Sequence, residues 1–227
     1  MPPEARCDYR FFDTLETEIQ GYILGFLFAD GCNYQQMSID LELQKRDIEI
    51  LKLIKEKLKV PSTISHRQSR NSVCLKIHSK HLASRAAEIG LIPQKSFKLK
   101  FPDLPSHLIR HFIRGFFDGN GNLTDRSQPT CNRYRYNINI ISTPSFCESL
   151  ASVINIFCGL NCKVFIPVPY RDKVNKIALL ILDGRENIKK FLHWIYDDST
   201  YKLQRKWKLA QFIFNEVFVN KCHKNVA

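Results

Sequence analysis

Ile23-Leu24-Gly25-Phe26-Leu27-Phe28-Ala29-Asp30-Gly31 has a near copy ninety positions later, Ile113-Arg114-Gly115-Phe116-Phe117-Asp118-Gly119-Asn120-Gly121. Each copy is an apolar segment that ends in a polar residue and a glycine. Each carries two small residues four apart, Gly25 with Ala29 and Gly115 with Gly119. Residues four apart share one helix face, so each copy offers a smooth stripe, and two such stripes let two backbones approach closely. A glycine after the last helical residue is a common helix stop. Asp30 and Asn120 therefore fall at helix ends, and side-by-side packing of the two helices sets them next to each other.

The flanking sequence repeats as well. Asp13 followed by Glu16 reads as a capping box that starts the first helix, which runs to Asp30. Met37, Ile39, Leu41 and Leu43 alternate with Ser38, Asp40, Glu42 and Gln44, the period of a strand with one wet face. A short strand near Asn33–Gln35 precedes it. Ile48, Leu51, Ile54 and Leu58 recur at helical spacing. Strands are expected at 62–69 and 72–78, and a helix from Lys80 to Ile89 stops at Gly90. Residues 91–105, rich in proline and lysine, read as a linker. The order then repeats: a helix over 106–119, strands near 121–126 and 133–142, a helix over 144–158, strands at 162–168 and 175–182, and a helix at 185–196. Val73-Cys74-Leu75-Lys76-Ile77 is matched to Ile177-Ala178-Leu179-Leu180-Ile181, an offset of 104 against 90 at the glycine motifs. A last helix, Leu203 to Val219, has no counterpart.

The expected organisation is thus an α+β duplication: 13–90, a linker at 91–105, and 106–219 with an extra terminal helix. Each unit reads αββαββα and makes an antiparallel sheet with helices on one face and a polar opposite face.

The chain has 227 residues and a formal net charge of +12. With 44% hydrophobic residues it can build a real core. Thirty-four Lys and Arg favour a polyanionic partner, and nucleic acid is favoured over membrane because no apolar run is long enough to span a bilayer. The Met-Pro-Pro-Glu-Ala-Arg start lacks a signal-peptide core. None of the eight cysteines forms a Cys-x-x-Cys pair, so no structural zinc is expected, and free thiols fit a reducing intracellular compartment. Whether that is an organelle or a bacterial cytoplasm stays open. No phosphate-cradling loop, nucleophile elbow or His-Glu-x-x-His occurs.

The two glycine motifs resemble the nine-letter motif of LAGLIDADG homing endonucleases, with Asp30 and Asn120 both on its second Asp. The resemblance covers most of the chain. It implies two pseudo-symmetric halves forming a DNA-binding saddle, a monomer, and a double-stranded DNA target cut on both strands. It also implies a divalent metal held by the paired acids and by the backbone carbonyls of Ala29 and Gly119. Hard oxygen ligands suit Mg2+ or Mn2+, with Ca2+ binding without supporting cleavage.

Asn120 departs from the pattern, because an amide brings no charge to hold the ion. Three readings stand open: a substitution made to trap an uncleaved complex, a natural weak or nicking variant, or a chain that binds DNA or intron RNA without cutting. Asp118 is read as a solvated or capping acid, since residues two apart on a helix point to different sides and Phe28 holds the matching place.

Basic residues near the ion would stabilise the phosphate transition state. The resemblance points to Lys95 and Lys98 before the second motif, and to Lys202, Arg205 and Lys206 after the second half. The Gln94-Lys95-Ser96 and Gln204-Arg205-Lys206 pairing favours Lys95 and Lys206. Base edges would be read from polar strand positions. The first half offers Asn33, Gln35, Ser38, Asp40, Glu42, Arg67, Gln68, Arg70, Lys76 and His78. The second offers Asn122, Thr124, Arg126, Arg133, Arg135, Asn137, Asn139, Lys163, Tyr170, Arg171 and Lys176.

Overall fold

The computed structural model describes residues 7–125, 136–167 and 176–215. Helix α1 spans Glu18–Asp30. It starts later than Asp13 because Gln20 closes its N-terminus, its side-chain oxygen accepting from the Thr17 backbone N–H at 2.9 Å. Asp13 instead pairs with His81 at 2.6 Å. Strands β1 (Gly31–Tyr34) and β2 (Ser38–Gln44) follow, then α2 (Ile48–Lys57), β3 (Ser65–Arg67), β4 (Ser72–His78) and α3 (Lys80–Ile89). The second half repeats the order with α4 (Ser106–Asn120), β5 (Gly121–Asp125), β6 (Tyr136–Ser142), α5 (Pro144–Cys158), β7 (Lys163–Phe165), β8 (Ala178–Asp183) and α6 (Arg185–Tyr196). Helix α7 is described over Gln204–Asn215.

Local chemistry fixes the helix boundaries. The Ser79 hydroxyl caps α3 by accepting from Leu82 N–H at 3.2 Å. Thr143 caps α5 in the same way through Phe146 N–H, with Pro144 at the first position, where its missing N–H costs nothing. Gly159 ends α5 in the left-handed region, as glycine stops do.

Each half forms a four-stranded antiparallel sheet, in the orders β1-β2-β4-β3 and β5-β6-β8-β7. In the first, Ile39, Leu41 and Leu43 with Val73, Leu75 and Ile77 point into the core. In the second, Ile138 and Ile140 with Ala178, Leu180 and Leu182 do so. The strand registers correct the sequence alignment of the halves. Leu75 pairs with Leu41 and Leu41 with Gly31; Leu180 pairs with Ile140 and Ile140 with Gly121. Leu75 therefore corresponds to Leu180, an offset of 105 rather than 104. Side chains alternate faces along a strand, so a slip of one residue turns every side chain to the other side.

Helices α1 and α4 pack against each other along their length at the centre of the molecule. Glycine makes this crossing possible. A Cβ on Gly25 would lie 2.0 Å from the Phe112 carbonyl oxygen, and one on Gly115 would lie 2.0 Å from that of Tyr22. Among the described residues no helix is long and apolar enough to cross a membrane.

Candidate metal and nucleic-acid site

The crossing brings the two helix C-termini together. A Cβ on Gly119 would meet the Ala29 Cβ at 2.4 Å and Asp30 Oδ2 at 2.9 Å, so the Asp30 carboxylate lies over the end of α4. Burial raises the Asp30 carboxyl above the usual carboxylate range, while Lys95 and Lys206 pull it back down. Asn120 is exposed, and its Nδ2 donates to the Ile141 carbonyl, leaving Oδ1 as the side chain's available oxygen.

Each helix end is closed by a lysine from elsewhere in the chain. Lys95 Nζ donates to the carbonyls of Leu27 (3.1 Å), Phe28 and Ala29 (2.8 Å). Lys206 Nζ donates to those of Phe117, Asp118 (2.9 Å) and Gly121. Phe117 and Asp118 lie ninety residues beyond Leu27 and Phe28, so the two ammonium groups hold equivalent places. A helix C-terminus offers orphan carbonyls and a partial negative charge, which is why a cation settles there. Burial lowers both lysines to about 8, with Asp30 opposing this most at Lys95 and Asp118 at Lys206. The other two candidate lysines are placed differently. Lys98 is exposed, and Lys202 Nζ lies over the Trp207 ring at 4.4 Å. Arg205 makes a forked contact to Asp47, with Nε–Oδ1 at 2.9 Å and an Nη–Oδ2 bond at 3.1 Å, tying α7 to the first half.

The residues that could offer oxygens to a cation at the crossing are Asp30 and Asn120 through their side chains and Ala29 and Gly119 through their carbonyls. These donors are hard, as a divalent cation of the magnesium or calcium type requires. Their single formal charge lies on the Asp30 side, and the Ala29 carbonyl is shared with Lys95.

Asp118 is neither solvated nor a cap. It is fully buried and accepts from Tyr22 Oη (2.9 Å), Tyr196 Oη (2.5 Å) and the Leu203 backbone N–H (2.7 Å). Burial raises its pKa, with Lys206 opposing. Beside it, Arg114 is buried and donates to Glu18 (2.6 Å), Ile195 O and Tyr201 O. This network joins α1, α4 and the segment leading to Lys206. It has no counterpart in the first half, where Leu24 and Phe28 occupy the matching positions. The signal in the sequence was an Arg and an Asp on the apolar motif helix itself. Asp118→Asn keeps the shape but sets an amide against three donors. It is expected to lower stability by about 2–3 kcal/mol in urea denaturation, the cost of unmet buried hydrogen bonds.

The polar strand candidates fall in different places. Asp40, Glu42, Arg67, Lys76 and His78 lie on the sheet face away from the helices in the first half, and Asn122, Thr124, Asn139 and Lys163 do so in the second. The two acids there are paired, Glu42 with Arg67 at 2.8 Å and Asp40 with Lys76 at 3.7 Å. Gln35, Gln68 and Arg70 are exposed in connecting turns, and Lys176 is exposed before β8. Asn33 is a correction: it faces inward, and its Nδ2 donates to the Ala83 and Leu91 carbonyls at 2.8 Å. Ser38 and Asn137 share the outward register but are buried. Arg126, Arg133, Arg135, Tyr170 and Arg171 lie outside the described residues.

No protein-family profile and no curated protein sequence matches this chain. Solved structures do. The chain is similar to I-GzeII, described as a LAGLIDADG homing endonuclease in complex with its DNA target, at TM-score 0.60 and 14% identity, over 86% of this chain and 90% of that one. It is similar to I-LtrWI, a LAGLIDADG homing endonuclease bound to target DNA, at TM-score 0.58 and 14% identity, over 87% and 89% of the two chains. The N-terminal LAGLIDADG domain of DUF199/WhiA matches at TM-score 0.52 and 18% identity, over 88% and 92%. At these identities the likeness establishes architecture: this chain has the two-half LAGLIDADG fold.

Proposed function

We propose that the protein is a sequence-selective DNA endonuclease that hydrolyses phosphodiester bonds with a divalent metal, acting as a monomer on a long duplex site. The observation that carries this reading is the placement of Asp30 and Asn120 at the crossed helix ends, each end closed by a lysine, Lys95 half-buried and Lys206 buried. Similar folds that hold DNA targets add support. A bound divalent ion would activate water and neutralise charge on the leaving oxygen. Asp30 would hold it from α1, with Asn120 Oδ1 and the Ala29 and Gly119 carbonyls as neutral donors. Lys95 and Lys206 would present positive charge to the scissile phosphates. The polar sheet faces would take up the flanking base pairs.

Asn120 favours a second reading, a non-cleaving binder of duplex DNA or intron RNA with the same fold. The two readings separate in a randomised duplex-DNA library incubated with magnesium, the protein run beside its Asn120→Asp form. On the endonuclease reading, the Asn120→Asp form cuts a defined site and the parent cuts it more slowly, nicks it or only binds it. Selection of one sequence with no cutting by either form removes the enzyme and leaves the binder.

A further inference from the structure

The two sheets do not present the same chemistry on their open faces. On that face, cross-strand rows can be followed outward from the helix ends. In the first sheet the row nearest Asp30 is Glu42–Cys74–Ser65. In the second sheet the equivalent row, nearest Asn120, is Ile141–Leu179–Phe165. The next row is Asn122–Asn139–Ile181–Lys163, and the third is Thr124–Asn137–Asp183. The second sheet therefore grades from apolar at the centre to polar at the rim. Ile141 is 53% exposed and Phe165 54% exposed, so the central row is open rather than core. Ile177, on the same side of β8, is exposed as well.

We infer that this row reads thymine C5-methyl groups in the half-site nearest the scissile positions on the Asn120 side. This rests on the proposed DNA-binding function. Three observations select a duplex as the occupant. Asn120 bonds the Ile141 carbonyl, so the row is continuous with the candidate metal site. Its borders carry exposed Lys163 and Lys176, in a chain of net charge +12, which suits phosphates on either side. The equivalent row of the other sheet carries Glu42, Cys74 and Ser65, so the apolar surface is particular to this half. In the major groove the thymine methyl is the apolar feature that a side chain can select, and aliphatic or aromatic contact is how it is read. The row's Glu42 counterpart can instead accept from a cytosine amino group, so the two central half-sites are expected to differ in composition.

The test uses the duplex that the protein selects from the randomised library. Thymines are replaced by deoxyuridine, one half of the site at a time, and dissociation constants are measured. Each contacted methyl removed weakens binding about fourfold, the equivalent of one buried methylene. The loss is confined to one half of the site. Phe165→Ser and Ile141→Thr, both at open positions, each reduce the preference for thymine over uracil in that half and leave the other half unchanged. Uracil tolerated in both halves, or a selected site without central thymines, overturns the inference and leaves the DNA-binding reading standing. So does an unchanged thymine preference in both variants. A concentration-dependent dimer that Phe165→Ser dissolves, with no uracil effect, assigns the face to a second copy and overturns it too. Failure to select any sequence is the separate failure of the proposed function.

Discussion

Gly115→Ala is expected to move the urea-unfolding midpoint of the protein far down. The added Cβ would stand 2.0 Å from the Tyr22 carbonyl oxygen and 2.9 Å from the Phe26 nitrogen. Both are backbone atoms of α1, so no rotamer change relieves the contact. The two helices must separate, and that loosens the Phe28–Phe112 ring contact together with the Arg114–Glu18 bond. Overpacking of a tight core typically costs 1–3 kcal/mol, and a clash with fixed backbone belongs to its upper tail, roughly 4 kcal/mol or more. Against a total stability of about 5–15 kcal/mol this is enough to shift the urea midpoint far down. Gly159→Ala is the control. Gly159 has φ +60° at the end of α5, and a Cβ there would meet only the end of the Lys190 side chain, at an ordinary 3.7 Å, so alanine should cost about 1 kcal/mol through backbone conformation alone. Equal midpoints for the two variants would show that α1 and α4 do not cross this closely.

The second large effect is on chemistry. In the Asn120→Asp background, Asp30→Asn is expected to lower the cleavage rate at least a thousandfold, about 4 kcal/mol of transition-state stabilisation. Asp30 is the carboxylate that feels the charge of both Lys95 and Lys206, and its replacement takes the negative charge from the α1 end. The substitution keeps size and shape, so folding should be unchanged. Binding of duplex DNA should be equal or tighter, since a negative charge next to the phosphates is lost. Single-turnover cleavage and a binding isotherm measured together separate the two. Cleavage persisting at the parental rate would remove Asp30 from the chemistry. The Asn120→Asp change has its own structural consequence: the new carboxylate loses the donor to the Ile141 carbonyl and faces Asp30. Lys95 and Lys206 are the charges available to offset that repulsion.

Much of the arrangement was legible because it rests on local rules. The paired Gly-x-x-x-small stripes marked the helix crossing, and both helices do end at Asp30 and Asn120, although Gly31 and Gly121 continue in extended backbone rather than in the left-handed turn of a glycine stop. Period-two and helical patterns located the elements of both halves, including the unmatched α7. The shared Gln-Lys-Ser and Gln-Arg-Lys context singled out Lys95 and Lys206, whose ammonium groups close the two helix ends. What tertiary structure alone decided was which side each polar or apolar residue faces and what it meets there. Asn33 turns inward because the Ala83 and Leu91 carbonyls need its donors. Asp118 is buried because Tyr22, Tyr196 and Leu203, distant in sequence, surround it. Leu179 and Ile181 lie on the open face because the strand register sets the repeat offset at 105. Strand periodicity marks two faces without naming which one is covered, and a single-residue shift exchanges them; only the pairing of β8 with β6 and the helices behind them removes that ambiguity.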